Sequence, residues 1–161
     1  MATKTVFYSF HYERDVHRVH LVRQIGAIEG QPLLASQEWE TVRRGGQQAI
    51  INWIDQQISY KRAVVVLIGQ ETASRPWVLY EIQKAWSARK PLIGVRIHGL
   101  SSMGSIDRPG ADPFKKVSGV SGVPVFDATQ RNWQGQVDTK ATYAYLANNL
   151  ESWVTQAKTR S

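Results

Sequence analysis

The residues best suited to chemistry are Trp77 and Glu81, which stand four positions apart in the segment RPWVLYEIQKAW. The segment follows an apolar run, AVVVLIG, and it includes Pro76, a residue favoured in the first turn of a helix. Because residues four apart share a helical face, the Trp77 ring and the Glu81 carboxylate should lie side by side. Such a carboxylate lies either at the solvent border or inside a cleft, where it could stabilise positive charge on a substrate. The spacing alone favours the border.

A second cluster combines polar and aromatic side chains at the end of the first predicted strand: Ser9, Phe10, His11 and Tyr12. This composition is suited to stacking a flat ring and to hydrogen bonding a phosphate or a ribose. Phe10 and Tyr12 could equally pack the strand against the helix that follows. The spacing leaves both interpretations open.

Several common site motifs are missing from the sequence. It contains no Walker loop, no glycine fingerprint after the first strand and no nucleophile elbow around a serine. The absence of cysteine excludes disulfides, thiolate metal sites and a cysteine nucleophile. His17 and His20, without a cysteine or HExxH context, predict two surface histidines and no metal site. The paired acidic residues that hold magnesium in receiver domains are also missing after the first strand.

Strand and helix patterns alternate along the chain. TVFYSF, PLIGVRI, VPVF and the fully apolar Ala63 to Gly69 predict strands, with QPLLAS, residues 31–36, as a candidate second strand. Helical spacing of apolar residues marks DVHRVHLVRQIGAI, GGQQAIINWIDQQI, the segment from Pro76 and a closing helix that contains Leu146 and Trp153. This alternation predicts a flavodoxin-like, doubly wound α/β domain in which about five parallel strands have helices on both faces.

Ligands of such folds bind at the carboxyl ends of the strands. The sequence places four stretches there: SFHY, GQETASRPW, HGL and Asp127. Residues from His98 to Gly122 are rich in Gly, Ser, Asp and Pro and predict a long loop that is either functional or mobile. We expect residues 1–161 to form a single domain.

Composition limits the class of protein. The formal charge of +7 would attract phosphate, but Lys and Arg occur as scattered pairs and not as a run, so the sequence does not predict a nucleic-acid interface. A basic surface still favours anionic small molecules. No apolar stretch approaches the roughly twenty residues of a membrane span, and the first residues lack a signal-peptide pattern. We therefore expect a cytoplasmic protein without a membrane partner.

Three segments, VFYSFHY, VVVLIGQETASRPWVLYEIQKAW and PLIGVRIHGL, resemble in this order the TIR (Toll/interleukin-1 receptor) domain superfamily, specifically the short bacterial TIR-like proteins of Thoeris anti-phage defence. The most specific element is Trp77 followed by Glu81 and Ile82. The resemblance implies that Glu81 is the catalytic residue of an NAD⁺-cleaving site. It also implies that His11 and Tyr12 line the nucleotide pocket, with Trp77 as a wall.

The implied activity is that of an NAD⁺ nucleosidase or ADP-ribosyl cyclase, with NAD⁺ as the substrate and no further cofactor. Nicotinamide is already cationic in NAD⁺, so its departure needs no general acid, and the barrier lies in forming an oxocarbenium-like ribose. Glu81 could stabilise that charge. Attack by water then gives ADP-ribose, whereas attack by another group of the same or a second molecule gives a cyclic or conjugated nucleotide, which a dry pocket favours.

The resemblance also implies partners. The nucleotide product would activate a separate effector protein, after a phage trigger and self-association through TIR contacts. Glu38 to Gln48 corresponds to the loop through which TIR domains contact one another, although its second half carries two arginines and no aromatic residue. One alternative is a non-catalytic TIR interaction module that acts through this segment. Another is a basic nucleotide or nucleic-acid binder.

Overall fold

The fold is a single five-stranded parallel sheet with strand order β2-β1-β3-β4-β5. The computed structural model describes residues 4–26, 28–30 and 41–160. The strands are β1 (Lys4–Ser9), β2 (Ile28–Gly30), β3 (Ala63–Ile68), β4 (Leu92–Arg96) and β5 (Val125–Asp127). This is the strand order of doubly wound, flavodoxin-like folds, so the predicted fold class is confirmed.

Helices cover both faces of the sheet: α1 (Tyr12–Gln24), α2 (Gly46–Ser59), α3 (Pro76–Ser87) and α4 (Thr139–Val154). Helices α1 and α4 enclose one hydrophobic core, to which Val19 and Leu146 contribute. Helices α2 and α3 enclose the other, with Ile54 and Ile82. Every residue of β3 is buried, because the strand is central and both of its faces are covered.

The second strand of the sheet, β2, was not predicted from the sequence. Strand β2 is Ile28–Gly30, and the segment that was predicted, residues 31–36, lies outside the described residues. Only Ile28 and Gly30 of this short strand are buried, so its apolar signal is weak. The last strand is also shifted, to Val125–Asp127.

The loop from His98 to Gly122 packs onto the domain. A short 3₁₀ helix, Pro113–Lys116, places Phe114 in the core beneath α3. Gly94 of β4 makes this possible, since a Cβ there would lie 2.7 Å from the Phe114 ring. The loop is therefore an integral part of the second core.

A buried ion-pair cluster ties the same loop to α1. The Arg18 side chain is 2% exposed and donates to Asp15 Oδ1 at 3.0 Å and to Asp107 Oδ2 at 3.1 Å. Its Nε donates to the carbonyl of Leu100 at 2.9 Å. Arg14 adds two hydrogen bonds to the Asp107 carboxylate. Burial raises the pKa of Asp15, and the neighbouring Arg18 charge opposes that rise.

No helix in the described part of the chain is long and apolar enough to cross a membrane.

Replacing Arg18 by methionine should lower the free energy of unfolding by about 3 kcal/mol or more, because Asp15 would remain buried without its cation. Urea unfolding measures this change. Lys84→Gln is the matched control, since Lys84 is 41% exposed and lies 3.9 Å from Asp55. It should cost less than about 1 kcal/mol. Equal losses from the two variants would contradict a stabilising role for the cluster.

Candidate active site

The site lies where β1 and β3 run side by side. The chain leaves β1 into α1 on one face of the sheet and leaves β3 towards α3 on the other face. When two neighbouring strands connect to helices on opposite faces of the sheet, a crevice forms between their carboxyl ends. Ligands of this fold usually bind in that crevice. Ser9 ends β1, and Glu81 belongs to the second turn of α3.

Ser9 and Glu81 meet in this crevice. The Ser9 hydroxyl donates a hydrogen bond to Glu81 Oε1 at 3.1 Å, although the two residues are 72 positions apart. Ser9 is fully buried and Glu81 is only 7% exposed. The interpretation of Glu81 as a solvent-border residue is therefore wrong. Its helix face turns the carboxylate towards the sheet, together with the buried side chains of Val78 and Ile82.

Burial raises the pKa of Glu81 to about 8, and the hydrogen bond from Ser9 lowers it only in part. Within the described residues no lysine or arginine forms an ion pair with this carboxylate. A buried carboxyl group without a cation favours its neutral form. A positive charge placed beside Glu81 should therefore stabilise its ionised form.

His11 lies at the N-terminus of α1 and is 8% exposed. Its Nδ1 is buried and has no hydrogen-bond partner among the described residues. Burial lowers the pKa of His11, and the positive charge of Arg75 lowers it further. Both effects favour the neutral form of the imidazole.

The aromatic candidates are held by packing contacts. The rings of Phe10 and Tyr12 lie 6.0 Å apart at a tilt of 31°, and Phe10 packs against the core of α1 and α4. Trp77 is half-buried and contacts Tyr80 edge to face at 5.9 Å. The Tyr80 hydroxyl in turn donates to Asp55 of α2 at 2.7 Å. The packing interpretation thus accounts for these contacts, and a pocket role for Phe10, Tyr12 and Trp77 stays a prediction.

His98 and Asp127, also at the carboxyl edge, both contact Thr129. Asp127 accepts a hydrogen bond from the backbone of Thr129, and the His98 ring lies 3.2 Å from the Thr129 hydroxyl. His17 and His20 are exposed on α1. The described residues contain no cluster of three His, Cys, Asp or Glu side chains that could hold a metal ion.

Part of the proposed contact segment Glu38 to Gln48 is described. Residues 38–40 lie outside the described ranges, residues 41–44 are helical, and Arg43 and Arg44 are exposed.

Sequence analysis placed Arg75 within the stretch GQETASRPW at the carboxyl edge of the sheet but did not single it out as a site residue. It is exposed at the N-terminus of α3, six residues before Glu81, and its charge acts on His11. This effect of Arg75 on His11 is visible only in the structure, where the N-termini of α1 and α3 lie close together.

Replacing Glu81 by glutamine should stabilise the fold increasingly as pH rises. The folded-state pKa lies above the ordinary 4.5, so the unfolded chain releases its proton first and the wild type loses stability from about pH 4.5 up to about pH 8. Glutamine has no proton to release. Urea unfolding at the two ends of this range should show the gain of the variant growing by about 1–4 kcal/mol. A gain that does not change with pH would show that Glu81 titrates normally.

Comparisons with known proteins agree on one family. The profile of the family described as "Thoeris protein ThsB, TIR-like domain" matches residues 7–102, a range that includes every candidate from Ser9 to Glu81. "Putative cyclic ADP-D-ribose synthase ThsB1" of Bacillus cereus (strain MSX-D12) is 31% identical over 118 residues. That alignment covers 69% of this chain and 61% of the relative, so the chain spans less than two thirds of that protein's length. The chain therefore belongs to the Thoeris ThsB family and carries its TIR-like domain.

Proposed function

We propose that this protein cleaves NAD⁺ between nicotinamide and ribose, with Glu81 as the catalytic carboxylate. The observation that carries the proposal is the burial of Glu81 in the crevice at the end of β1, with Ser9 as its hydrogen-bond donor and no cation paired to it among the described residues. The substrate supplies the missing positive charge, first as the nicotinamide ring and then as the oxocarbenium-like ribose. The name of the Bacillus cereus relative supports this substrate class.

Burial strengthens the electrostatic effect of Glu81. An ionised carboxylate in a water-poor crevice interacts more strongly with a nearby positive charge than it would in bulk water. The Ser9 hydroxyl orients one carboxylate oxygen and leaves Oε2 for the substrate ribose. Ser9 is thus a positioning residue, while Glu81 contacts the reacting sugar.

The proposed product is a cyclic ADP-ribose-type nucleotide. The bond between ribose C1′ and nicotinamide breaks, and its electron pair leaves with neutral nicotinamide. A nucleophilic atom elsewhere in the same ADP-ribose unit then bonds to C1′ and releases any proton to solvent. A crevice that excludes water favours this internal attack over hydrolysis. The relative's name, "Putative cyclic ADP-D-ribose synthase ThsB1", supports this choice.

Membership of a Thoeris family supports a signalling role for that product. We propose that the nucleotide activates a separate effector protein in anti-phage defence, and that a phage trigger and self-association through TIR contacts activate the enzyme. The alternative, a non-catalytic module that acts through homotypic contacts, makes opposite predictions for Glu81.

Glu81→Gln should reduce NAD⁺ cleavage at least about 100-fold, because the amide cannot balance the positive charge of the ribose. Mass spectrometry of NAD⁺ incubated with concentrated protein, and with lysate of phage-infected cells, measures nicotinamide and the ADP-ribose isomer. Glu151→Gln, an exposed substitution on α4, is the matched control and should retain full activity.

Size-exclusion chromatography and thermal unfolding of both variants show whether folding and self-association persist. Full defence activity in a correctly folded Glu81→Gln protein would overturn the catalytic proposal and favour the interaction module.

The pH profile of the reaction should report the titration of Glu81. The kcat/KM of the wild type should rise with pH and level off above about 8, because the free enzyme must ionise a carboxyl group of that pKa. The kcat profile should level off at lower pH, since the bound nicotinamide cation favours the carboxylate. Ser9→Ala removes a hydrogen bond that lowers the pKa and should shift the kcat/KM profile to higher pH. An unshifted profile for Ser9→Ala would contradict this assignment.

A further inference from the structure

Two helix N-termini open onto the crevice without a side-chain cap. His11 occupies the N-cap position of α1 and Arg75 that of α3, and neither side chain caps its helix by a hydrogen bond. The first backbone N–H groups of a helix have no partner within the helix, and they carry partial positive charge. Such a position favours an anion, although it does not by itself define a binding site.

Contacts between the two elements place these N-termini close together. Ser9, two residues before His11, donates to Glu81 of α3. Arg14, in the first turn of α1, forms an ion pair at 2.9 Å with Glu71, which precedes α3. The two helices therefore begin on either side of the same crevice.

His11 supplies an independent sign of a ligand. Its side chain is more than nine-tenths buried at the start of α1, and its Nδ1 finds no partner in the described part of the chain. Buried polar atoms are normally hydrogen-bonded, and leaving one unsatisfied costs free energy. A ligand that brings oxygen atoms to this position would allow the imidazole, after a small rotation, to form the missing bond.

Arg75 supplies a cation at the same place. Its exposed side chain forms no hydrogen bond or ion pair within the described ranges, and its charge acts directly on His11. The other charged groups around His11 are Asp15 and Glu13 of α1 and Glu71 before α3.

Asp15 and Glu71 are held in ion pairs, Asp15 with Arg18 and Glu71 with Arg14, and both arginines also contact Asp107. The guanidinium of Arg75, in contrast, forms no ion pair within the described ranges.

We propose that Arg75 and His11, with backbone N–H groups in the first turn of α1 and, after Pro76, in the first turn of α3, bind the diphosphate of a dinucleotide substrate. The inference rests on the proposed function, and it adds the group by which the site selects a dinucleotide over a nucleoside. Arg75 lies six residues before Glu81, roughly 9 Å along α3. In a dinucleotide, one ribose separates the diphosphate from the C1′ carbon at which the bond breaks. The distance from Arg75 to Glu81 is compatible with a diphosphate at Arg75 and this C1′ carbon beside Glu81. The overall charge of +7 also favours the approach of such an anion.

The decisive experiment compares Arg75→Gln with wild type on NAD⁺ and on nicotinamide riboside, which lacks the diphosphate. The KM for NAD⁺ should rise about tenfold or more, because a charge-assisted contact to phosphate is lost. The KM for nicotinamide riboside should not change. Arg62→Gln is the matched control, since Arg62 is exposed and precedes β3 at the opposite edge of the sheet. It should leave both KM values unchanged.

A binding experiment separates this inference from the proposed reaction. ADP, which carries the diphosphate and has no nicotinamide, is titrated into each variant and the His11 ring is followed by NMR. Binding to wild type should raise the pKa of His11, and Arg75→Gln should weaken the affinity for ADP about tenfold. Thermal unfolding verifies that each variant is folded.

Each outcome decides one of the two proposals. If NAD⁺ is cleaved but Arg75→Gln changes its KM no more than Arg62→Gln does, the diphosphate site is wrong and the proposed function stands. If wild type leaves NAD⁺ intact under activating conditions but binds ADP through Arg75, the reaction is wrong and the diphosphate site stands. ADP affinity that is equal in wild type and Arg75→Gln overturns the diphosphate site.

Discussion

The hydrogen bond from Ser9 to Glu81 is the contact on which the site depends. It joins the end of β1 to the second turn of α3 and keeps a carboxylate inside the protein at 7% exposure. Burying an acid in this way is unfavourable, and one neutral hydrogen bond does not offset the cost of its charged form. The apolar face of α3, which includes Val78, Ile82 and Ala85, supplies the packing that holds the helix in place despite this cost.

The protein buries charge in two different ways. The difference between them distinguishes a structural ion-pair cluster from the candidate active site. Arg18 is surrounded by acceptors, the carboxylates of Asp15 and Asp107 and the carbonyls of Leu100 and Ser105. Its cluster is nearly satisfied and fixes the loop after β4. The carboxylate of Glu81 has one donor and no paired cation in the described structure. A strongly raised pKa without a compensating partner is typical of functional carboxylates, whereas a well-paired cluster is typical of structural ones.

Local patterns in the sequence predicted most of the fold. The apolar run from Ala63 and the proline that begins α3 are signals carried by neighbouring residues, and the structure has both elements where they were expected. Strand β2 was missed because a three-residue strand with Glu29 exposed leaves too short a pattern. The register of β1 beside β3, and hence the crevice, followed from the fold class and from no single segment.

The candidate site was harder to predict because its determinants are far apart in the chain. Spacing within α3 indicated that Trp77 and Glu81 could share a face, but burial of Glu81 depends on Ser9, 72 residues earlier. The pairing of Arg18 with Asp107 spans 89 residues and left no periodic signal at all. The resemblance to TIR proteins predicted a catalytic role for Glu81 without this geometry, and it did not indicate Arg75.

In the proposed site, α3 presents opposite charges to opposite ends of one ligand. Its N-terminus and Arg75 offer positive charge to the diphosphate, and Glu81 offers a carboxylate to the ribose that becomes cationic. Before the substrate binds, burial keeps much of Glu81 protonated at neutral pH. The nicotinamide cation then favours the ionised form, so the carboxylate acquires its charge at the moment when the reaction uses it. An acid that is mostly neutral in the free protein at neutral pH thereby becomes an electrostatic catalyst in the complex.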